Sequence, residues 1–372
     1  MTQRWLEWLW PMRLMPTDTS APPARLPRWV FLDYLRVFAF GSVLIGHKFL
    51  QPLQAAMDDA NSVWHWPARL LWPWVLGGGA GVVVFFLVSG YIITAVLQRE
   101  RCVEFLIRRA ARIYPLYVIA VLAEYALQVP DQRVPVHTLL LQLSLLGDWT
   151  STPYALAGVE WTLRLELVFY VVMAILKALG WVDWRNGAAL PPIYATLVLM
   201  LFATRPWPTF TDWGVGGYGY VSLYFPFLLV GSMLQLQERG VVRSATTALF
   251  IVWVVVCHYV GLMRWQPRLL DLHFPLLALG LFLVLWRGRR LWPQSSWVLW
   301  LSELTYAIYL FHHWTFDRLR DSAARMGAGP IVAQILGVLS LFMLCVLLVR
   351  WVERPGICWG RRLSRPRQRV VA

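Results

Sequence analysis

The sequence predicts an all-α, polytopic integral membrane protein with about ten transmembrane helices, and three observations carry that prediction. The chain of 372 residues is 58% hydrophobic and only 15% charged, with a mean hydropathy of +0.54. A water-soluble protein of this length could not hide that much apolar surface. Apolar runs of about 17–25 residues, the length demanded by a hydrocarbon core of about 30 Å, recur from one end to the other. A transmembrane barrel would instead show alternating segments of about ten residues. The third observation is the distribution of cations. With the N-terminus inside, 23 of the 34 lysines and arginines fall in inner segments and eight in outer loops; Arg36, Lys48 and Arg164 lie within or at the edge of spans. That is the positive-inside bias. The net charge of +14 therefore encodes orientation rather than nucleic-acid binding, and places both termini in the cytoplasm.

In chain order, residues 1–28 form a cytoplasmic N-terminal segment. They lack a continuous apolar core, so no secretory signal is visible, and "WLEWLWPMRLM" is too short to span but suits the interface. Ten spans follow, at about 29–50, 74–97, 113–129, 160–180, 190–204, 218–237, 245–263, 272–287, 297–316 and 330–351. The stretch 136–147, "VHTLLLQLSLLG", is apolar but too short to cross, and reads as a re-entrant or surface helix on the outer side. Were it to span, every later loop would change side and the charge bias would collapse. No linker or repeat divides residues 29–352, which read as one domain. Residues 353–372 are a basic cytoplasmic tail whose "GRRLSRPRQR" can meet anionic headgroups. Many of the 23 tryptophans lie near proposed interfaces. The four cysteines fall in inner loops or spans, so no disulfide is expected.

Polar groups inside the spans are the candidates for function. In the first span, "LDYLRVFAFGSVLIGH", Arg36 and His47 are eleven residues apart, close to three full turns, so they share a face about 16.5 Å apart along the axis. Asp33 precedes Arg36 by three and joins that face. The structural alternative is a buried ion pair with an interfacial histidine. The second span, "LGGGAGVVVFFLVSGYIITAVL", has glycines that admit a helix or a ligand closely, then Ser89 and Tyr91 near its inner end. The following inner loop carries Arg108, Arg109 and Arg112 at spacings that place them on one helical side. They suit a polyphosphate, because guanidinium donates in pairs to phosphate oxygens, but positive-inside anchoring explains such a run equally. In the fourth span, Glu166 lies about two turns inside the outer boundary and two residues from Arg164, too close in sequence to face it, so its partner comes from another helix, with His47 one candidate. The ninth span lines up Glu303, Tyr306, Tyr309, His312 and His313 toward the outer surface. No metal-ligand spacing is present, and no metal is expected.

Together these pieces resemble the acyltransferase-3 family of bacterial membrane O-acyltransferases, over most of residues 30–352. "LDYLRVFAFGSVLIGH" is similar to the family's first helix, with its arginine and histidine. "GVVVFFLVSGYIIT" matches the second helix, "RRAARIYPLY" the RRxxR element, "EWTLRLELVFY" the tryptophan–acid–FY element, and "LTYAIYLFHH" the late YxxYLxH element. The chain has Arg164 where the family usually has a serine, and apolar residues where the second helix often carries an acid. The resemblance implies transfer of an acyl group, normally acetyl, from cytoplasmic acyl-CoA (acetyl-CoA foremost) to a hydroxyl of an extracytoplasmic glycan or glycolipid, in the bacterial inner membrane. It implies His47 as general base with Glu166 orienting it. Arg36, Arg108, Arg109, Arg112, Ser89 and Tyr91 would bind the donor, its arm threading between helices one and two along "GGGAG". Trp161, Arg164, Tyr306 and His312 would face the acceptor. A glycolipid flippase and an inactive scaffold in polysaccharide assembly are the rival readings. The sugar, the acyl group and the oligomeric state are not specified.

Overall fold

The computed structural model describes residues 29–150, 152–182, 187–204, 218–265 and 273–364. The segment 1–28 and the end of the basic tail, 365–372, lie outside the described residues. Each predicted span is occupied by a helix: α1 (Val30–Lys48), α4 (Gly79–Leu97), α5 (Cys102–Leu127), α7 (Trp161–Ala178), α8 (Leu190–Thr204), α9 (Tyr218–Glu238), α10 (Ser244–Trp265), α11 (Phe274–Arg287), α12 (Ser296–Arg325) and α13 (Pro330–Leu348). Among the described residues five helical stretches are long and apolar enough to cross a bilayer by themselves: Val30–Lys48, His65–Leu97, Cys102–Leu127, Ser244–Arg264 and Pro330–Leu363. The protein is therefore multi-pass.

Helices also form outside the ten predicted spans. The first connection folds into α2 (Leu50–Asp58) and α3 (His65–Val75). The chain then reverses hand at Gly77 and Gly78, with φ of 59° and 70°, a conformation open to glycine, and enters α4. The stretch read as too short to cross forms the eight-residue α6 (Val136–Leu143). It is tied to α5 by Tyr117 donating to the Gln142 carbonyl at 2.7 Å. Beyond α13 a turn of π-helix at Val349–Glu353 leads into α14 (Arg354–Leu363), so the described part of the basic tail is a helix. It docks on α5 through Gly356 and Gly360, where an added Cβ would approach Pro115 and Ala111 to 2.8 and 2.4 Å.

The centre of the fold is α4. Most of its side chains are buried, and it packs against α1, α7, α9 and α11. In lipid, helices gain little by burying apolar surface from an already apolar solvent, so association depends on close packing and small residues at crossings. Here those residues are glycines. A Cβ on Gly90 would lie 1.9 Å from the Leu228 carbonyl oxygen of α9, and one on Gly231 would lie 2.1 Å from that of Leu87. Against α1, a Cβ on Gly81 would meet the Ala39 oxygen at 2.4 Å, and one on Gly46 would meet the Val75 oxygen at 2.1 Å and the Gly78 nitrogen at 2.5 Å. The backbones are already in contact at these crossings, while Gly81 lines a cavity together with Ala39 and Val43, so open space along "GGGAG" lies beside the contact rather than through it. These glycines seal the two helices together.

Gly90→Ala should therefore destabilise the detergent-solubilised protein by about 1–3 kcal/mol or more, seen as a lower melting temperature. Gly280→Ala, where nothing lies within 4 Å of the new methyl, should be neutral or slightly stabilising, because alanine is the better helix former.

Candidate active site

A cavity of about 940 Å³, its open side included, lies among α1, α4, α5, α7 and α12. One end is cationic. Arg36 of α1 and Arg109 and Arg112 of α5 all line it. The RRxxR arginines thus sit inside the first half of α5 rather than in a loop. Arg109 lies over the Phe105 ring at 5.6 Å, and its Nε is buried without a hydrogen-bond partner among the described residues. A buried guanidinium N–H with no acceptor is costly unless a ligand supplies one. Asp33, 4% exposed, anchors this end. It stands 4.0 Å from the Arg36 guanidinium and accepts from Ser302 Oγ at 2.7 Å. Glu353, on the π-turn, is a buried acid that interacts electrostatically with Arg112 and Arg36.

Arg108 does not join them. It is rotated about 100° from Arg109 on the helix. It pairs with Glu100 at 2.6 Å and Glu104 at 2.5 Å, and donates to Ser364 Oγ at 2.9 Å. Tyr91 is likewise turned away, being two residues past Ser89 on α4. Its hydroxyl donates to Glu238, which also accepts from Trp286 Nε1 at 2.8 Å.

Glu166 and Ser89 line the same cavity. The carboxylate Oε1 accepts from Ser89 Oγ at 2.6 Å and from Tyr170 OH at 2.5 Å, so both donors converge on one oxygen. This corrects the expected pairing of Glu166 with His47. Gly46, beside His47, touches Gly78, and Ser89 is eleven residues further along α4, about 16.5 Å. Glu166 therefore lies near the depth of Arg36, at the cationic end.

His47 ends α1 at the opposite pole and is exposed. Val43, one turn below it, lines the cavity. The partner of His47 is His312 of α12: Nδ1 and Nε2 are 2.8 Å apart and the rings stack at 16°. His312 is 1% exposed, and its Nδ1 bonds the Tyr309 carbonyl at 2.7 Å. His313 meets His47 edge-on, with ring centroids 5.0 Å apart. Lys48 beside it pairs with Asp317 at 2.5 Å.

The remaining candidates separate. Tyr306 lines the cavity and donates to the Ile113 carbonyl at 2.9 Å. Trp161 faces Phe86 and Tyr224 at centroid distances of 5.8 and 5.1 Å. Arg164, 2% exposed, stacks over Tyr154 at 4.4 Å and covers Gly147. Neither Trp161 nor Arg164 lines the cavity. Unread in the sequence were Thr162 and Thr305, which line the cavity together with Tyr309 of the ninth span's polar line. Tyr309 OH accepts from Thr162 at 2.8 Å and donates to the Val159 carbonyl at 3.0 Å.

Glu166→Ala leaves two buried hydroxyls, those of Ser89 and Tyr170, without this acceptor. It should cost about 1–3 kcal/mol in thermal unfolding, with Ser89→Ala costing less than the carboxylate it serves.

The chain is 26% identical over 303 residues to the exopolysaccharide production protein ExoZ of Rhizobium meliloti, covering 76% of this chain and 91% of that protein. It is 29% identical over 188 residues to Nodulation protein 10 of Rhizobium leguminosarum bv. viciae, covering 44% of this chain and 48% of that one. It is 26% identical over 163 residues to the acyltransferase MdmB of Streptomyces mycarofaciens, covering 41% and 40%. The matched region thus spans about half or less of two of these relatives and nearly all of the third. No solved structure matches. The sequence profile of the acyltransferase domain family matches residues 29–350, almost the whole helical body that builds the cavity, and the chain therefore belongs to that family, Acyl_transf_3, of membrane acyltransferases.

Proposed function

We propose that the protein moves an acyl group, normally acetyl, from cytoplasmic acyl-CoA to a hydroxyl of an extracytoplasmic glycan or glycolipid. The observation that carries this reading is the polarity of one cavity. Guanidiniums gather at the end that the charge bias places inside, and an exposed histidine stands one turn beyond the other end, with apolar walls between. A donor with a phosphate-rich head and a long neutral arm matches that layout. ExoZ, named for exopolysaccharide production, supports a polysaccharide acceptor.

Arg36, Arg109 and Arg112 take the donor phosphates, and the partnerless Arg109 Nε gains its acceptor there. Glu166, aimed by Ser89 and Tyr170, presents its second oxygen to an N–H or O–H of the arm. This is a donor-side role, in place of orienting the imidazole. The arm follows the cavity wall shared by α1 and α4, past Ala39 and Val43 of α1 and Gly81 and Phe85 of α4. At the outer end, His47 removes the acceptor's hydroxyl proton as the oxygen attacks the thioester carbonyl. The new C–O bond forms, the C–S bond breaks, and His47 returns the proton to the departing CoA thiolate. The products are an ester and free CoA. The chain supplies orientation across the membrane as well as a base, and orientation alone is worth several kcal/mol of barrier.

The direct test adds labelled acetyl-CoA to the cytoplasmic face of membranes and counts label in glycan and glycolipid fractions at matched protein levels. Wild type should incorporate label and His47→Ala should lose about 10²-fold or more. Equal labelling in both would remove His47 from the chemistry. No labelling with acetyl-CoA or succinyl-CoA would favour a flippase or a scaffold.

Arg112→Ala and Arg109→Ala should each raise KM for the donor about 10–100-fold, the value of a charge-assisted contact, with the acceptor KM unchanged. Arg108→Ala, outside the cavity, should leave the donor KM near wild type.

A further inference from the structure

We propose that His312 is a positioning residue that fixes the tautomer of His47, doing for this imidazole what a carboxylate does in a serine-hydrolase triad. The inference rests on the reading of His47 as the base, and gives its outward nitrogen a defined state.

A carbonyl oxygen can only accept, so the 2.7 Å contact between His312 Nδ1 and the Tyr309 carbonyl requires a proton on that Nδ1. A neutral imidazole carries one N–H, so His312 Nε2 is an acceptor. His47 Nδ1, 2.8 Å away, must then be the donor. The remaining nitrogen of neutral His47, Nε2, is left with its lone pair and without a proton, the state a general base needs. Burial makes the chain directional. His312 is 1% exposed, so water does not offer it a different pattern, and α12 holds the Tyr309 carbonyl one turn below. Lys48 and His313 also face the His47 ring, with Asp317 beside both; Lys48 is held in its own ion pair with Asp317 and His313 meets His47 by ring edge, so neither replaces the Nδ1 contact.

A carboxylate in this place would fix the same tautomer and also attract the imidazolium. A neutral histidine fixes the tautomer without adding a charge beneath the site. The arrangement also ties the base to the cavity wall, because Tyr309 supplies both a ring lining the cavity and the carbonyl that ends the chain.

The test uses full-length protein with ¹⁵N-histidine in lipid and two variants. His312→Leu keeps bulk and removes the acceptor; His312→Gln returns an amide oxygen near the place of Nε2. In wild type the His47 signals, assigned by their loss in His47→Ala, should report a protonated Nδ1 and a bare Nε2. In His312→Leu they should move toward the opposite tautomer, kcat should fall about 10²-fold or more, and donor KM should stay at the wild-type value. His312→Gln should recover a large part of both. Unchanged His47 signals in His312→Leu, with or without a change in rate, would overturn the proposal, as would equal loss in the Leu and Gln variants. The two readings fail separately. If His47→Ala retains full transfer, the base assignment falls, while the ¹⁵N signals still decide whether His312 sets the proton on His47.

Discussion

The contact on which the rest of the molecule depends is the backbone-to-backbone seating of α4 against α9 and α1. Gly90 and Gly231 interlock on one side, each lacking room for even a methyl group, and Gly81 and Gly46 do the same on the other. With lipid as solvent there is little to gain from burying leucine in protein rather than in acyl chains, so packing distance determines which helices stay together. Once α4 is clamped between two neighbours its rotation is set. Ser89 then points to the cavity and Tyr91, two residues on, to the Glu238 cluster. A site that needs Ser89 beside Glu166 needs those glycines first.

The second consequence is a cavity with two unlike ends. Charges in the bilayer are tolerated where they pair or face an interior space. Here both conditions hold together: Arg36 is close to Asp33, Glu353 interacts electrostatically with Arg36 and Arg112, and all three cavity arginines keep a side open to the same volume. Such a cluster is held in place by buried acids yet left with donors to offer. The opposite end has the reverse character, a stacked histidine pair at the edge of the fold with one ring buried and one exposed. The distance between the ends comes from helix geometry alone, eleven residues of α1.

Arg164 shows how a substitution at a suspected site can be absorbed by the fold. It sits two residues from Glu166 and invites a role in the chemistry, yet it is stacked under Tyr154 and covers Gly147, behind the wall of the cavity. The space that Gly147 leaves is filled by the guanidinium, whose atoms would stand 2.4–2.5 Å from an added Cβ. Its charge is spent on holding the 147–160 connection to α7.

Much was already written in the residue order. Apolar runs located a helix at every predicted span, because a bilayer imposes a length and a composition that local sequence must meet. The stripe from Arg36 to His47 was legible for the same reason: a helix converts spacing into direction without help from the rest of the chain. The sequence could not say which side chains on different helices would meet. It allowed three arginines on one side of α5, and the fold turned Arg108 to Glu100 and Glu104. It offered Glu166 to His47, and the packing of α4 set them about three turns apart in depth. It offered "GGGAG" as a passage, and the fold put two of those glycines into a left-handed turn and left Gly81 on the cavity wall. His312 was one polar residue among five on its helix, and only the crossing of α1 and α12, 265 positions apart in the chain, made it the partner of His47. Lengths and faces are local properties that a single helix must satisfy, whereas depth, rotation and partnership are set where helices touch, and those contacts exist only in the assembled fold.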